Sequence, residues 1–303
     1  MTQQAETGDR GIDAASDVDA LGVRKYRQNL PGGGETVEPT LCDPTIPNIA
    51  RVYDYWLGGK DHYAADRTEA ERLIAVYPHL PVLARQSRLF LARSVEWLAG
   101  QGVRQFLDLG CGLPTGENTH EIAQAIDPDC RVVYVDNDPT VMAFARALLC
   151  GPGVTTLRGD MAEPDIILAD VRARRLIDLD EPTAVILAMV LHFFDAATAS
   201  DIVATFAREI APGSYIVLSV GSGDEEIGGA LAREYQAGTL HNHPLAQIAA
   251  FVEGLELIPP GLTDAMAWKP ESPSQPPSPE SGGHILAGVV RKPDAGARAV
   301  PRA

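Results

Sequence analysis

The chain has 303 residues and a 45% hydrophobic share, enough for one large α/β domain with extra segments or for two small domains. Its 41 acidic against 25 basic side chains give a formal net charge of −16, which argues against a nucleic-acid partner; the one tight basic cluster, Arg172, Arg174 and Arg175, is flanked by acids. No apolar run reaches the length of a membrane-spanning helix, and the first residues lack both the basic start and the apolar stretch of a secretory signal, so no membrane partner and a cytoplasmic location are expected.

Residues 1–44 are rich in Gly, Asp, Thr and Pro, and a flexible leader with one short helix near Leu21 to Tyr26 is expected there. From Ile46 the texture changes. A helix is predicted over 47–57, stopped by Gly58 and Gly59, and a second from Ala64 to Val76, broken by Pro78 and Pro81. Leu83, Ser87, Leu91, Val95 and Leu98 recur at helical spacing and mark a third helix packed on a sheet edge. Residues 45–100 thus form an N-terminal helical segment.

Strands and helices then alternate. Strands are predicted at 103–109, 131–135, 153–158, 184–190 and 215–220, with helices over 117–126, 139–149 and 196–210; Pro139 suits the first turn of its helix. A helix from Ala246 to Glu253, a strand at 255–258 and a closing strand at 284–290 complete the pattern. The prolines of 270–281 cannot sit in a central strand, so an exposed loop is expected there, and 293–303 reads as a flexible tail. The fold class is α/β: a Rossmann-like, doubly wound, seven-stranded sheet with helices on both faces, its core spanning 101–292.

The chemistry concentrates at the carboxyl ends of the strands. The first strand runs into Asp108-Leu109-Gly110-Cys111-Gly112, and the second ends in Asp136-Asn137-Asp138. A glycine turn followed by a strand-end acid makes a cleft for a nucleotide-like cofactor with a free ribose diol. An acid beside the turn repels a pyrophosphate but suits a cofactor carrying cationic groups, which favours S-adenosylmethionine over NAD. Position 115, where a dinucleotide fingerprint has its third glycine, is Thr. Asp108 or its neighbours are expected to hold the methionyl ammonium, and the amides of the Gly110, Cys111 and Gly112 turn its carboxylate. Asp136, with Asn137 beside it, is expected at the ribose hydroxyls, Asp160 at the adenine amine and Met161 over the ring.

His192 follows the fourth strand, where this fold meets substrate. A neutral imidazole there takes a proton from a hydroxyl; a hydrogen-bonded structural histidine is the other reading. Tyr235, His241 and His243 are candidates for an acceptor site. The four cysteines are scattered without a C-x-x-C unit, and no metal site is expected.

With these motifs the chain resembles the class I S-adenosylmethionine-dependent methyltransferases. The run from Ala50 to Arg67, together with 106–120, 132–139 and Leu191-His192-Phe193, is similar to an actinobacterial family of methyltransferases with largely unassigned substrates; the resemblance spans about residues 45–292. It implies that 48–67 forms part of a lid over the cofactor, with Arg51 pairing with the cofactor carboxylate and Tyr53 or Tyr63 bonding near it. The expected function is methyl transfer to a small-molecule acceptor, a natural-product hydroxyl or carboxylate. An NAD-dependent Rossmann oxidoreductase and a non-catalytic S-adenosylmethionine-binding regulator are the alternatives.

Overall fold

The computed structural model describes residues 42–269 and 283–294. Apart from residues 42–44 and 293–294, the expected leader, its short helix and the tail lie outside these, as does the 270–281 loop. Three helices come first: α1 (Ile49–Leu57), α2 (Ala64–Val76) and α3 (Leu80–Gly100). The alternating part is β1 (Gln105–Leu109), α4 (Thr119–Ile126), β2 (Arg131–Asp136), α5 (Pro139–Leu148), β3 (Val154–Arg158), α6 (Pro164–Arg174), β4 (Thr183–Ala188), α7 (Ala196–Glu209) and β5 (Tyr215–Gly223). The chain continues through α8 (Glu225–Glu234), α9 (Leu245–Phe251), β6 (Glu256–Leu257), β7 (Thr263–Asp264) and β8 (Gly283–Arg291).

The sheet runs β3-β2-β1-β4-β5-β8-β6, with β7 paired to β8. β1 to β5 are mutually parallel, and β8 is antiparallel to β5. All seven expected strands form; the eighth, β7, is a two-residue ladder on β8. Every residue of β1 is buried, as a central parallel strand covered on both faces requires. Alternate residues serve opposite layers. Leu107, Val133, Val185 and Leu218 pack with Ile167, Val203 and Phe206 on one face, and Phe106, Val132, Ile186 and Val217 pack with Phe90, Val95 and Leu98 on the other.

Two helices were not foreseen. In α6, Ile167, Leu168 and Val171 are buried but Ile166 is exposed, which blurs the helical period. In α8 the Gly228-Gly229 pair reads as loop, yet a Cβ at Gly228 would stand 2.4 Å from the Asn242 amide carbon, so the helix needs glycine to approach that side chain. The fourth strand ends at Ala188, not Val190, because Met189 takes a left-handed φ of 58° and turns the chain.

The α1–α2 pair has its own small core of Val52, Ala70 and Leu73. It is pinned by Asp66, which is fully buried and accepts from Arg51 Nε at 2.7 Å, Tyr63 N at 2.7 Å and Asn48 N at 2.9 Å. Breaking a buried pair by removing one partner strands the other charge, at roughly 3–5 kcal/mol. Asp66→Ala is therefore expected to lower stability by about that amount in urea denaturation and to speed proteolysis within 43–77. A variant as stable and protease-resistant as the parent would show that the pair is dispensable.

Candidate active site

A cavity of about 390 Å³ lies at the carboxyl ends of β1, β2, β4 and β5, beneath α1, α2, α3 and α8. Its floor begins at the turn after β1, where Gly110 and Gly112 take φ of 67° and 65°. A Cβ at Gly110 would stand 2.5 Å from Val190 Cγ1 and 3.0 Å from Met161 Cε, so a larger residue cannot pack there. At Gly112 nothing lies within 4 Å of a Cβ position, and the backbone is bare to the cavity. The three turn amides are engaged within the protein: Gly110 N and Cys111 N donate to Val135 O at 2.8 and 3.2 Å, and Gly112 N donates to Asp136 Oδ2 at 3.0 Å. The expectation that they receive a cofactor carboxylate does not fit this arrangement.

The strand-end acids are brought together as the sequence predicted. Asp136 closes β2 and also accepts from Asp138 N at 3.0 Å. Burial pushes its carboxyl up to about 6, and the neighbouring Asp138 charge adds to this against the two amide bonds. Asp108, on β1, is buried and accepts from Thr119 Oγ1 at 2.7 Å; burial raises its carboxyl too, with Arg88 pulling the other way. Burial and the two acids also push the Cys111 thiol up, so it lines the cavity as an uncharged group. Asn137 lines the wall beside Asp136, and Asp160 and Met161 follow β3 on the same side. One Asp160 oxygen is taken by Ala162 N at 2.9 Å.

The roof differs from expectation. Tyr53 lines the cavity and donates to Ala84 O at 3.1 Å; burial pushes its phenol up to about 12. Arg51 and Tyr63 do not line it. Arg51 points to Asp66 and to the carbonyls of Ile46 at 2.7 Å and Asp43 at 3.2 Å, and its guanidinium stacks on the Tyr63 ring at 5.1 Å. Among the described residues, the Lys or Arg that lines the cavity is Arg88 of α3, which sequence reasoning missed. The signal was there: Arg88 lies next to Ser87 on the stripe read as purely packing. Asn48 was missed as well. It caps α1 and donates from Nδ2 to Asp138, whose other oxygen caps α5.

The far end of the cavity is built from the chain after β4. Met189 N donates to Ser219 O at 2.9 Å and Ser219 Oγ at 3.1 Å, and this holds the turn that delivers His192. His192 is 6% exposed, and its Nδ1 has no hydrogen-bond partner. Burial, helped by His243, drives its pKa down to about 3, so the ring is neutral at physiological pH. Tyr235 and His241 line the same end. His243 stands behind it, 2% exposed, with its ring nitrogens 2.8 Å from Gln247 Oε1 and 3.0 Å from Phe194 O. Trp56, Leu73, Leu231 and Leu240 supply apolar wall.

Among the described residues, no three His, Cys, Asp or Glu side chains are grouped to hold a metal ion, and no helix is long and apolar enough to cross a membrane. No functionally curated protein matches the chain. Among solved structures it is similar to a DUF574-family protein from Streptomyces avermitilis, at 36% identity and a TM-score of 0.77, covering 82% of this chain and 98% of that one. It is equally similar to a candidate methyltransferase from Thermobifida fusca, at 38% identity and a TM-score of 0.77, covering 82% and 96%. A family profile described as S-adenosyl methyltransferase matches residues 35–293. The oxidoreductase reading draws no support from any of these. The chain belongs to the S-adenosyl methyltransferase family and is an S-adenosylmethionine-dependent methyltransferase.

Proposed function

We propose that the cofactor lies across the β1, β2 and β3 ends of the cavity and that the acceptor is an uncharged hydroxyl on a small molecule with an apolar body. The residues present fit the cofactor. Gly112 offers bare backbone where a side chain would intrude, and Asp136 offers a carboxylate held by two backbone amides. In this reading Asp136, beside Asn137, holds the ribose hydroxyls, Asp160 and Met161 bracket the adenine, and Asp108 faces the methionyl ammonium. Gly110 and Cys111 form the floor, and Tyr53 roofs the site.

The acceptor reading is supported by one observation above the rest: His192, a buried neutral imidazole whose Nδ1 has no partner, lines a cavity whose charged lining, among the described residues, is five aspartates and one arginine. An anionic acceptor would meet those aspartates. A hydroxyl instead pairs with the imidazole and relieves its missing bond. This favours the hydroxyl over the carboxylate class and a free small molecule over a charged polymer.

S-adenosylmethionine supplies a methyl group already activated on a sulfonium, so the protein's work is alignment and exclusion of water. His192 Nδ1 accepts the hydroxyl hydrogen bond and turns an oxygen lone pair toward the methyl. An imidazole held down near 3 does not strip a resting hydroxyl. It would take the proton as the methyl passes to oxygen, the sulfonium C–S bond breaking as the C–O bond forms and S-adenosylhomocysteine being left, when that oxygen has become strongly acidic. Trp56, Leu73, Leu231 and Leu240 keep the acceptor's body dry.

Turnover over a panel of phenols, carboxylates and amines tests this; preferred methylation of carboxylates would overturn the hydroxyl assignment. His192→Ala is expected to leave S-adenosylhomocysteine affinity within about twofold while turnover falls roughly a hundredfold, the scale of a positioned proton acceptor. Unchanged turnover would remove His192 from the chemistry.

Asp136→Ala should weaken S-adenosylhomocysteine tenfold or more by calorimetry, the worth of hydrogen bonds to a charged acceptor. The pH dependence has a definite sign. Below about 6 the free protein's Asp136 is protonated and loses acceptor capacity, so affinity falls as pH drops through that value. Binding near pH 6 should release protons, seen as a buffer-dependent heat, and binding at pH 8 should not. Equal heats in all buffers at pH 6 would count against the ribose role.

A further inference from the structure

The cavity has to receive a cofactor tail bearing one ammonium and one carboxylate, yet among the described residues its charged lining is almost entirely acidic. A carboxylate placed there without a cation would face Asp108 and Asp136 across a poorly solvated space. The turn amides are no remedy, since Gly110, Cys111 and Gly112 already donate within the protein. One cation remains.

We propose that Arg88 is the carboxylate receptor of this site, taking the α-carboxylate of the methionyl tail while Asp108 takes its ammonium. The inference rests on the cofactor placement proposed above. Both hydrogen bonds of the Arg88 guanidinium leave from Nη2, to Thr115 Oγ1 at 2.8 Å and to Glu117 O at 3.3 Å. Nη1 and Nε keep their donors for a ligand, and a planar guanidinium suits a carboxylate better than a point charge does. The backbone beneath it is fixed. Ser87 Oγ lies 3.0 Å from Ser219 Oγ in the core, and Leu91, one turn on, is 3% exposed.

Arg88 also bridges to the segment between Gly112 and α4, where Glu117 takes a left-handed φ of 63° that is uncommon for its residue type. The guanidinium therefore joins three things: the helical segment before the sheet, the loop that leads into α4, and the tail of the bound nucleoside. Its charge lowers the pKa of Asp108, Cys111 and Tyr53 against their burial, and all four residues line the cavity. The roof-side residue Arg51, by contrast, is committed to Asp66.

Calorimetry on the full chain with S-adenosylmethionine and its decarboxylated analogue, which keeps the amine, separates this role from others. The parent protein is expected to prefer the carboxylate-bearing ligand. Arg88→Ala should weaken S-adenosylmethionine by roughly ten- to a hundredfold, the scale of a charge-assisted pair, and change the analogue by less than about twofold. Thr115→Val removes one internal bond but leaves the cation, and should preserve the parent's preference. If Arg88→Ala weakens both ligands equally, the residue only props the loop and the proposal fails; if it weakens neither, the carboxylate sits elsewhere and it fails again. Failure of the nucleoside placement has a different signature. Asp136→Ala would then leave both ligands unaffected, whereas a correct placement has it weaken both alike.

Discussion

A carboxylate at the end of β2 is gripped by two backbone amides, Gly112 N from the turn after β1 and Asp138 N from the start of α5. The site depends on this contact. It draws the two βα turns against each other, keeps the Gly112 backbone turned toward the cavity, and holds a partly buried carboxylate whose desolvation raises its pKa. Two hydrogen bonds only partly offset the desolvation, which is why the carboxyl stays elevated. Under the proposed placement, a vicinal diol would meet the leftover demand for hydrogen-bond donors. A ligand and a strained charge thus solve one another's problem.

Around that point the protein keeps unlike charges apart. Four of the five lining aspartates gather along the strand ends, Asp54 lies on α1, and the single arginine of the described lining stands on α3, a helix from the preceding segment. The far end carries no net charge in its imidazole, because burial at His192 has removed the option of protonation. In the proposed binding mode, charge is used where the nucleoside is held and avoided where the acceptor reacts. This division follows from local dielectric, not from any one residue's identity.

The sheet was legible because β1, β2, β4 and β5 are apolar runs bounded by Gly, Pro or Asp, and the strand-end acids followed from their place in that pattern. Asp108, Asp136, Asp160 and His192 do come to one cavity. The roof was harder to read. Arg51 and Arg88 are both arginines on amphipathic helices, and which one faces inward is decided by Asp66, a residue 15 positions from Arg51 that folds back beside it. Spacing along a helix shows a face but not what the face meets. The helices α6 and α8 were hidden by the same gap. An exposed Ile166 and a glycine pair at Gly228 make sense only against partners supplied by other parts of the chain. The turn at Met189 belongs here too, since a left-handed methionine is tolerated only because Ser219 holds it with two acceptors.

The bond from Asn48 to Asp138 ties the first residue of the roof to the floor two positions past Asp136. The same Asn48 side chain caps α1, and Asp138 caps α5, so neither end of the link is spare. Moving the start of α1 away from the start of α5 breaks this bond, so the two helix termini are tied to each other. In the proposed binding mode, entry and departure of the nucleoside would be tied to this link between two helix starts, far from the atom that is transferred.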